Sequence, residues 1–116
     1  MINITPQHKI FICLKPVDFR KGIDGMIGIC RHQLLIDPMS GVICAFTNKR
    51  KIMVRLLVYD GTGFWLSVKR FSEGKLKWWP NTQAQAKVLK PIELQIILQQ
   101  SDPRQVKIKP NWQDLD

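Results

Sequence analysis

The sequence lacks the segments that would place a chain in a membrane or export it. No apolar run reaches the roughly 18 residues that a membrane span needs. The first 16 residues, MINITPQHKIFICLKP, contain no long apolar region followed by a small-residue cleavage site, so we expect no signal peptide. These absences predict a cytoplasmic protein.

Residues suited to metal binding or thiol chemistry are scarce. The cysteines, Cys13, Cys30 and Cys44, have no CxxC spacing, and the two histidines supply no close pair. Structural zinc sites need four ligands, usually in close pairs. Each cysteine lies among apolar neighbours, where a free thiol behaves as a small hydrophobic side chain. We therefore expect buried free cysteines in a reducing compartment, with no metal ion and no cofactor.

Acidic residues are half as numerous as basic ones. The chain has 18 lysines and arginines against 9 acids, a formal net charge of +9. Such an excess on a small domain favours an anionic partner, and nucleic acid above all, because phosphate contacts release condensed counterions. Two alternatives stay open: a basic surface that serves solubility, or a basic subunit that docks on an acidic protein.

A chain of 116 residues fits one domain, because two independent cores would each be too small to be stable. Short apolar runs separated by short turns predict strands at 9–14, 42–47, 52–59, 64–71 and 75–79. Short connections indicate antiparallel hairpins. We predict a single α+β domain over residues 1–100, an antiparallel β-meander of four to five strands, with residues 101–116 as an extended C-terminal tail.

Two helices are predicted to complete the domain. Asp18 is a good N-cap for a helix that runs to about Leu35 with apolar residues at helical spacing, and this helix would cover one face of the sheet. Its three glycines also allow a loop before a shorter helix. Pro91 would start a second helix near the C terminus, after a polar connection over residues 80–87.

No convincing catalytic constellation is present. Glycines 22, 25 and 28 have the wrong spacing for a phosphate-binding loop. Asp60 follows an apolar strand, as a metal-binding acid of a nuclease could. However, Asp18 is explained as an N-cap, Asp37 as a turn residue, and Asp60 with Gly61 as a hairpin. We expect no enzyme, and a small metal-dependent nuclease remains the second alternative.

Basic residues interleaved with aromatic residues are the remaining signal. Lys49, Arg50 and Lys51 form a predicted hairpin tip where no structural reason requires three bases. The strand over 64–71 ends in Lys69 and Arg70. Tryptophans nearby, such as Trp65 and Trp79, could stack on bases or belong to the core; the sequence leaves both interpretations open.

Four motifs resemble the TnpB, or Orf2-like, accessory protein family of IS66-class bacterial insertion sequences. They are DFRKGIDGM (18–26), DPMSGVICAF (37–46), LLVYDGTGFWLSVKRF (56–71) and the WWP that follows. Their order and spacing agree with the family over residues 9–80. Phe19 stands where the family usually has methionine, Tyr59 where it has tryptophan, and Lys90 replaces a capping threonine.

The resemblance implies a small protein that is encoded beside a separate DDE-type transposase and is needed for movement of the element. It supplies no catalytic residues. We expect a non-enzymatic accessory factor for DNA transposition that binds element-end DNA, the transposase, or both, and that could form a homo-oligomer. The first alternative is a protein-interaction subunit without DNA binding of its own. The residues that we predict to contact phosphates are Arg20, Lys21, Lys49, Arg50, Lys51, Lys69 and Arg70.

Overall fold

The computed structural model describes residues 4, 7–81, 84 and 86–105. These residues form one five-stranded sheet and two helices, which confirms the α+β class. The strands are β1 (Ile10–Cys13), β2 (Ile43–Thr47), β3 (Met53–Tyr59), β4 (Phe64–Arg70) and β5 (Ala86–Leu89), and the helices are α1 (Ile23–His32) and α2 (Pro91–Leu98).

The sheet is mixed, with the strand order β4-β3-β2-β1-β5. Strands β2, β3 and β4 form an antiparallel meander, but β1 runs parallel to β2, with Ile10 opposite Ile43. The prediction of a wholly antiparallel sheet is therefore wrong. The physical reason is the length of the β1–β2 connection, which includes α1 and gives the chain enough residues to return to the same end of the sheet.

The fifth strand lies at 86–89, within and after the predicted connection, and not at 75–79. It pairs antiparallel with β1. The 75–79 segment is irregular, although Leu76 and Trp79 are buried. The indole Nε1 of Trp79 donates a hydrogen bond to the carbonyl of Cys13 at 3.0 Å. The apolar residues of this segment thus become buried by packing across the sheet rather than by strand pairing.

Helix α1 begins at Ile23, so the prediction of a helix from Asp18 to Leu35 is wrong and the shorter helix after a loop is observed. Asp18 accepts a hydrogen bond from the backbone N–H of Arg20 at 2.9 Å, which closes a turn instead of capping the helix. Gly25 is required where the loop meets α1, since a Cβ there would lie 2.6 Å from the Cβ of Lys21.

Apolar residues cover both faces of the sheet, which accounts for the nearly continuous apolar sequence of β3. Leu57 packs on the face covered by α1, together with Met26, Cys30 and Phe46. Its neighbour Leu56 packs on the face covered by α2. We call these the α1 face and the α2 face. Successive residues of β3 alternate between them, because side chains alternate along a strand.

The chain after the sheet packs on the α2 face. Helix α2 begins at the proline, and the Glu93 carboxylate accepts a hydrogen bond from the N–H of Lys90 at 3.0 Å, which supplies a cap that Lys90 itself lacks. Beyond it, Arg104 pairs with the buried Asp102 at 2.7 Å and lies over the ring of Trp78. The remainder of the predicted tail lies outside the described residues.

Neither helix in the described part of the chain is both long and apolar enough to span a membrane.

Candidate nucleic-acid interface

One open groove collects cations from three separate parts of the chain. It has a volume of about 1040 Å³ and lies where the loop after β1 meets the turn after β2. We call it the basic groove. Val17, Phe19 and Met53 contribute apolar walls, and its charged lining consists of Lys15, Asp18, Arg20, Lys49, Arg50 and Arg55. Five cations against one acid make this concave surface strongly positive.

The parallel pairing of β1 with β2 creates this groove. The C-terminal ends of two parallel strands lie at the same end of the sheet, so the loops that follow neighbouring parallel strands are close together. The N–H of Val17 donates to the carbonyl of Thr47 at 2.9 Å, which ties the two loops together just beyond the strands. Arg20 therefore lines the same groove as Lys49 and Arg50, although about 30 residues separate them in the sequence.

Arg55 fixes the loop that carries Arg20. From β3 its guanidinium donates hydrogen bonds to the carbonyls of Phe19, at 2.6 Å, and Lys21, at 2.7 Å. The same group lies 4.3 Å from the centre of the Phe19 ring, within the range of a cation–π contact. Its Nε–H is buried without a hydrogen-bond acceptor among the described residues. Sequence reasoning missed Arg55, whose only signal was a lone charge in an apolar strand.

The turn after β2 holds two cations outward. The side-chain oxygen of Asn48 accepts hydrogen bonds from the N–H groups of Ile52, at 3.0 Å, and Met53, at 3.3 Å. Lys49 and Arg50 occupy the exposed centre of this turn. The third predicted base, Lys51, adopts a left-handed backbone with φ of 58° and does not line the groove. The turn thus directs two of its three bases into the basic groove.

Asp18 is the acid within the basic groove. Its carboxylate binds the Arg20 guanidinium at 2.8 Å, and the Arg20 side chain is 90% exposed. This hydrogen-bonded pairing lowers the pKa of Asp18 to about 2. Arg20 is consequently held in one orientation at the groove, but the negative charge of Asp18 offsets its positive charge.

The other predicted phosphate contacts lie outside the groove. Lys21 is exposed in the loop before α1, where its carbonyl is held by Arg55. Arg70 lies opposite Met53 in the β3–β4 ladder and therefore shares the α1 face with the groove. Lys69 points to the α2 face, where its Nζ donates a hydrogen bond to the carbonyl of Leu98 at 2.6 Å. Lys69 therefore stabilises the C-terminal end of α2.

The tryptophans divide between the two interpretations that the sequence left open. Trp79 is 5% exposed and belongs to the core, and Trp78 is partly buried against it. Trp65 is 60% exposed, but it extends from the α2 face, away from the basic groove. No tryptophan among the described residues lines the groove, so its cations are not interleaved with indole rings.

Asp60 shapes the β3–β4 hairpin, as the sequence predicted. Its carboxylate accepts hydrogen bonds from the backbone N–H groups of Thr62 and Gly63, both at 2.9 Å, and from the indole of Trp65 at 2.7 Å. Gly61 has φ of 101°, a conformation that favours glycine. These hydrogen bonds lower the pKa of Asp60 to about 2; the bond from the Thr62 N–H has the largest effect, followed by the bond from the Trp65 indole.

Replacing Asp60 with asparagine is expected to lower the melting temperature by a few degrees at neutral pH. When the amide oxygen of asparagine accepts from the backbone N–H groups, its NH2 group faces the indole N–H of Trp65, so two donors oppose each other. The folded carboxylate has a pKa of about 2, below its ordinary value of 3.8. Its contribution to stability is therefore complete above about pH 4 and is lost as the pH falls toward 2. Thermal melts of both proteins from pH 7 to pH 2 should show the difference in melting temperature shrinking over that window.

The matched control is Glu73→Gln, which changes an exposed acid whose carboxylate makes no hydrogen bond among the described residues. It should leave the melting temperature unchanged. An Asp60→Asn protein that melts normally but no longer supports transposition would show that the carboxylate has a chemical role.

The cysteines and acids of the described residues form no group of three or more that could hold a metal ion. Cys13, Cys30 and Cys44 are free and buried, as predicted. Burial raises the pKa of the Cys13 thiol to about 11, and a hydrogen bond with Cys30, together with burial, raises that of Cys44 further. The hydrogen bond with Cys44 lowers the pKa of the Cys30 thiol instead. The raised pKa values keep Cys13 and Cys44 protonated, and burial shields all three thiols from reagents.

Comparison with known proteins places this geometry in a family context. A family model described as IS66 Orf2 like protein matches residues 8–108. Uncharacterized protein y4jC of Sinorhizobium fredii (strain NBRC 101917 / NGR234) is 34% identical over 110 residues, which cover 95% of this chain and 93% of that protein. Uncharacterized protein y4hO of the same strain is 24% identical over 104 residues, 90% of each chain. No solved structure matches the chain.

Proposed function

Because the chain belongs to the IS66 Orf2-like family, whose members are accessory proteins of insertion sequences, we propose that it assists transposition by binding DNA through the basic groove. It works beside the element's transposase and carries out no chemistry itself. The convergence of five cations in one groove is the observation that supports this proposal.

The groove suits a phosphate backbone in both charge and shape. Lysine and arginine contacts with phosphates release counterions, and this release dominates the affinity of most DNA-binding proteins. Lys15, Lys49 and Arg50 are exposed, so they can reach a backbone without prior rearrangement. Arg55 contributes by holding the loop in place, and its guanidinium is already occupied by two carbonyls.

The polar groups of the groove favour contacts with phosphates over contacts with bases. The bidentate contacts that discriminate best between bases come from a free amide or a free guanidinium fork. The side-chain oxygen of Asn48 is used within its own turn and the guanidinium of Arg20 is held by Asp18, so Arg50 carries the one guanidinium of the groove that no described residue binds. We therefore propose that this protein binds DNA with little sequence preference, and that recognition of the element ends rests with the transposase.

Binding of fluorescent duplexes across a salt series tests the proposal. With about four phosphate contacts, affinity should fall about a hundredfold between about 50 and about 200 mM salt. A duplex from the element ends and an unrelated duplex of equal length should bind with similar affinity. The measurement is fluorescence anisotropy, with magnesium added in a parallel series.

Three results would count against the proposal. Negligible binding to both duplexes at low salt would leave a subunit that acts only through the transposase. A strong preference for the element ends would mean that the groove, or another surface, reads bases. Cleavage of either duplex in the magnesium series would identify an enzyme.

A further inference from the structure

Strand β4 forms one edge of the sheet, and no strand among the described residues pairs with its outer side. Two large apolar side chains are exposed along it, Trp65 at 60% and Val68 at 51%. It has seven residues, whereas β5 at the opposite edge has four. A long open edge with apolar residues is a template for pairing with another strand, which natural proteins usually block.

The hydrogen bonds of the hairpin show which groups of β4 are free. The N–H of Asp60 donates to Gly63, and the N–H of Phe71 donates to Ile52, both at 3.0 Å. Hydrogen-bonded and non-hydrogen-bonded pairs alternate along an antiparallel ladder. The odd-numbered residues from 63 to 71 therefore bond to β3. The N–H and C=O groups of Phe64, Leu66, Val68 and Arg70 point outward.

We propose that a second copy of this chain pairs with this edge, antiparallel, with the two Ser67 residues opposite each other on a twofold axis. In this register all the outward groups of β4 are used. Leu66 of each copy lies opposite Val68 of the other, and Phe64 lies opposite Arg70. Both are hydrogen-bonded pairs formed by outward-facing residues, so the register agrees with the free groups of the strand.

The side chains of β4 complement each other in this register. On the α1 face, the guanidinium of Arg70 meets the Phe64 ring, and Leu66 meets Val68. On the α2 face, Trp65 meets Lys69, whose Nζ is held by the Leu98 carbonyl, so the apolar stem of the lysine faces the indole. A shift by two residues in either direction shortens the ladder and separates these cations from the aromatic rings. The strand is thus a better match for itself than for an arbitrary partner.

The pairing would place two basic grooves on the same side of a ten-stranded sheet. Directly opposed residues of paired strands extend to the same face. The even-numbered residues of β4 lie on the α1 face with Arg55, so the α1 faces of the two copies would be continuous. The dimer itself does not depend on DNA binding, and its test uses no DNA.

The first test is the molar mass of the protein by light scattering after size-exclusion chromatography, over a series of concentrations. We expect twice the 13.5 kDa mass of the chain. Val68→Pro should convert it to a monomer with an unchanged circular dichroism spectrum, because proline removes an N–H that points outward and is tolerated on that side of an edge strand. A wild-type monomer at all concentrations would overturn the proposal, as would a Val68→Pro dimer.

The second test remains decisive if Val68→Pro does not fold. Opposed Cα atoms in a non-hydrogen-bonded pair lie about 4.5 Å apart, within the range of a disulfide. Ser67→Cys should therefore form a covalent dimer on mild oxidation. Arg70→Cys should not, since the two copies of residue 70 would be six residues apart along the strands, roughly 20 Å. The native cysteines are buried and should not interfere. Equal cross-linking of the two variants would contradict the register and overturn the proposal.

Discussion

Replacing Lys15, Lys49 and Arg50 with glutamine is expected to weaken DNA binding about a hundredfold at about 100 mM salt. These three exposed cations come from two loops that meet only in the folded protein, and no acid pairs with them among the described residues. Each phosphate contact that is lost also removes about 0.9 from the slope of log affinity against log salt. The triple variant should therefore lose about 3 units of slope in the anisotropy series.

A variant with the same net charge provides the control. Lys9, Lys87 and Lys90 are exposed and do not line the groove, and Lys9 and Lys90 lie at the end of β1 opposite to it. Replacing these three with glutamine changes the total charge equally. If the groove binds the DNA, this control should keep most of the affinity and nearly the whole slope. Equal losses in the two triple variants would mean that overall charge, and not the groove, drives binding.

Asp18→Asn is expected to have the opposite effect on DNA affinity, because it makes the basic groove more positive. It removes the acid of the groove and frees the guanidinium of Arg20, which is otherwise held at 2.8 Å. The affinity for DNA should rise several-fold and the salt dependence should become steeper. Weaker binding would show that the orientation of Arg20, and not its charge, is what the groove requires.

Replacing Arg55 with methionine is expected to reduce both stability and DNA binding. Methionine keeps the aliphatic part of the side chain but removes two charged hydrogen bonds to the carbonyls of Phe19 and Lys21. Hydrogen bonds that involve a charged group contribute about 1.5 to 3 kcal/mol each, and the buried Nε offsets part of that gain. We expect the free energy of unfolding to fall by about 2 to 4 kcal/mol in urea titrations.

The loss of DNA binding should exceed what unfolding explains. At a temperature where the Arg55→Met protein is still folded, the loop over 18–21 is no longer held against the sheet, so the basic groove loses its wall. Arg55→Lys is the matched variant: it keeps the charge but cannot bind two carbonyls and lie over the Phe19 ring at once. Both variants should bind DNA more weakly. Full binding by the folded lysine variant would mean that charge alone is needed at this position.

The sequence predicted the local elements of the meander and failed on the topology that connects them. Strands β2, β3 and β4 are consecutive, apolar and joined by short turns, so their pairing follows from neighbouring residues. The partner of β1 depends on contacts distant in sequence, and nothing in residues 9–14 distinguishes a parallel neighbour from an antiparallel one. The strand at 75–79 was predicted from its apolar residues, but Leu76 and Trp79 are buried by packing in the core and not by strand pairing.

Of the seven predicted phosphate contacts, the structure brings three together in the basic groove: Arg20, Lys49 and Arg50. The sequence identified Lys49 and Arg50 as bases of a predicted turn where no structural reason requires them, and Arg20 by its place in a family motif. It could not find Lys15, which looks like the end of a strand. The sequence also could not tell that Lys69 lies on the α2 face and Arg70 on the α1 face with the groove, because this assignment depends on which face of the sheet α2 covers.

The sequence by itself determined the charge of this protein, the hairpin built around Asp60 and the buried state of its cysteines, because each depends on composition or on residues close together in the chain. Only the tertiary structure decided where that charge is concentrated. The parallel pairing of β1 and β2 brings the loop at Arg20 beside the turn at Lys49, whereas antiparallel pairing would have put them at opposite ends of the sheet. A single strand direction therefore concentrates the positive charge into a groove.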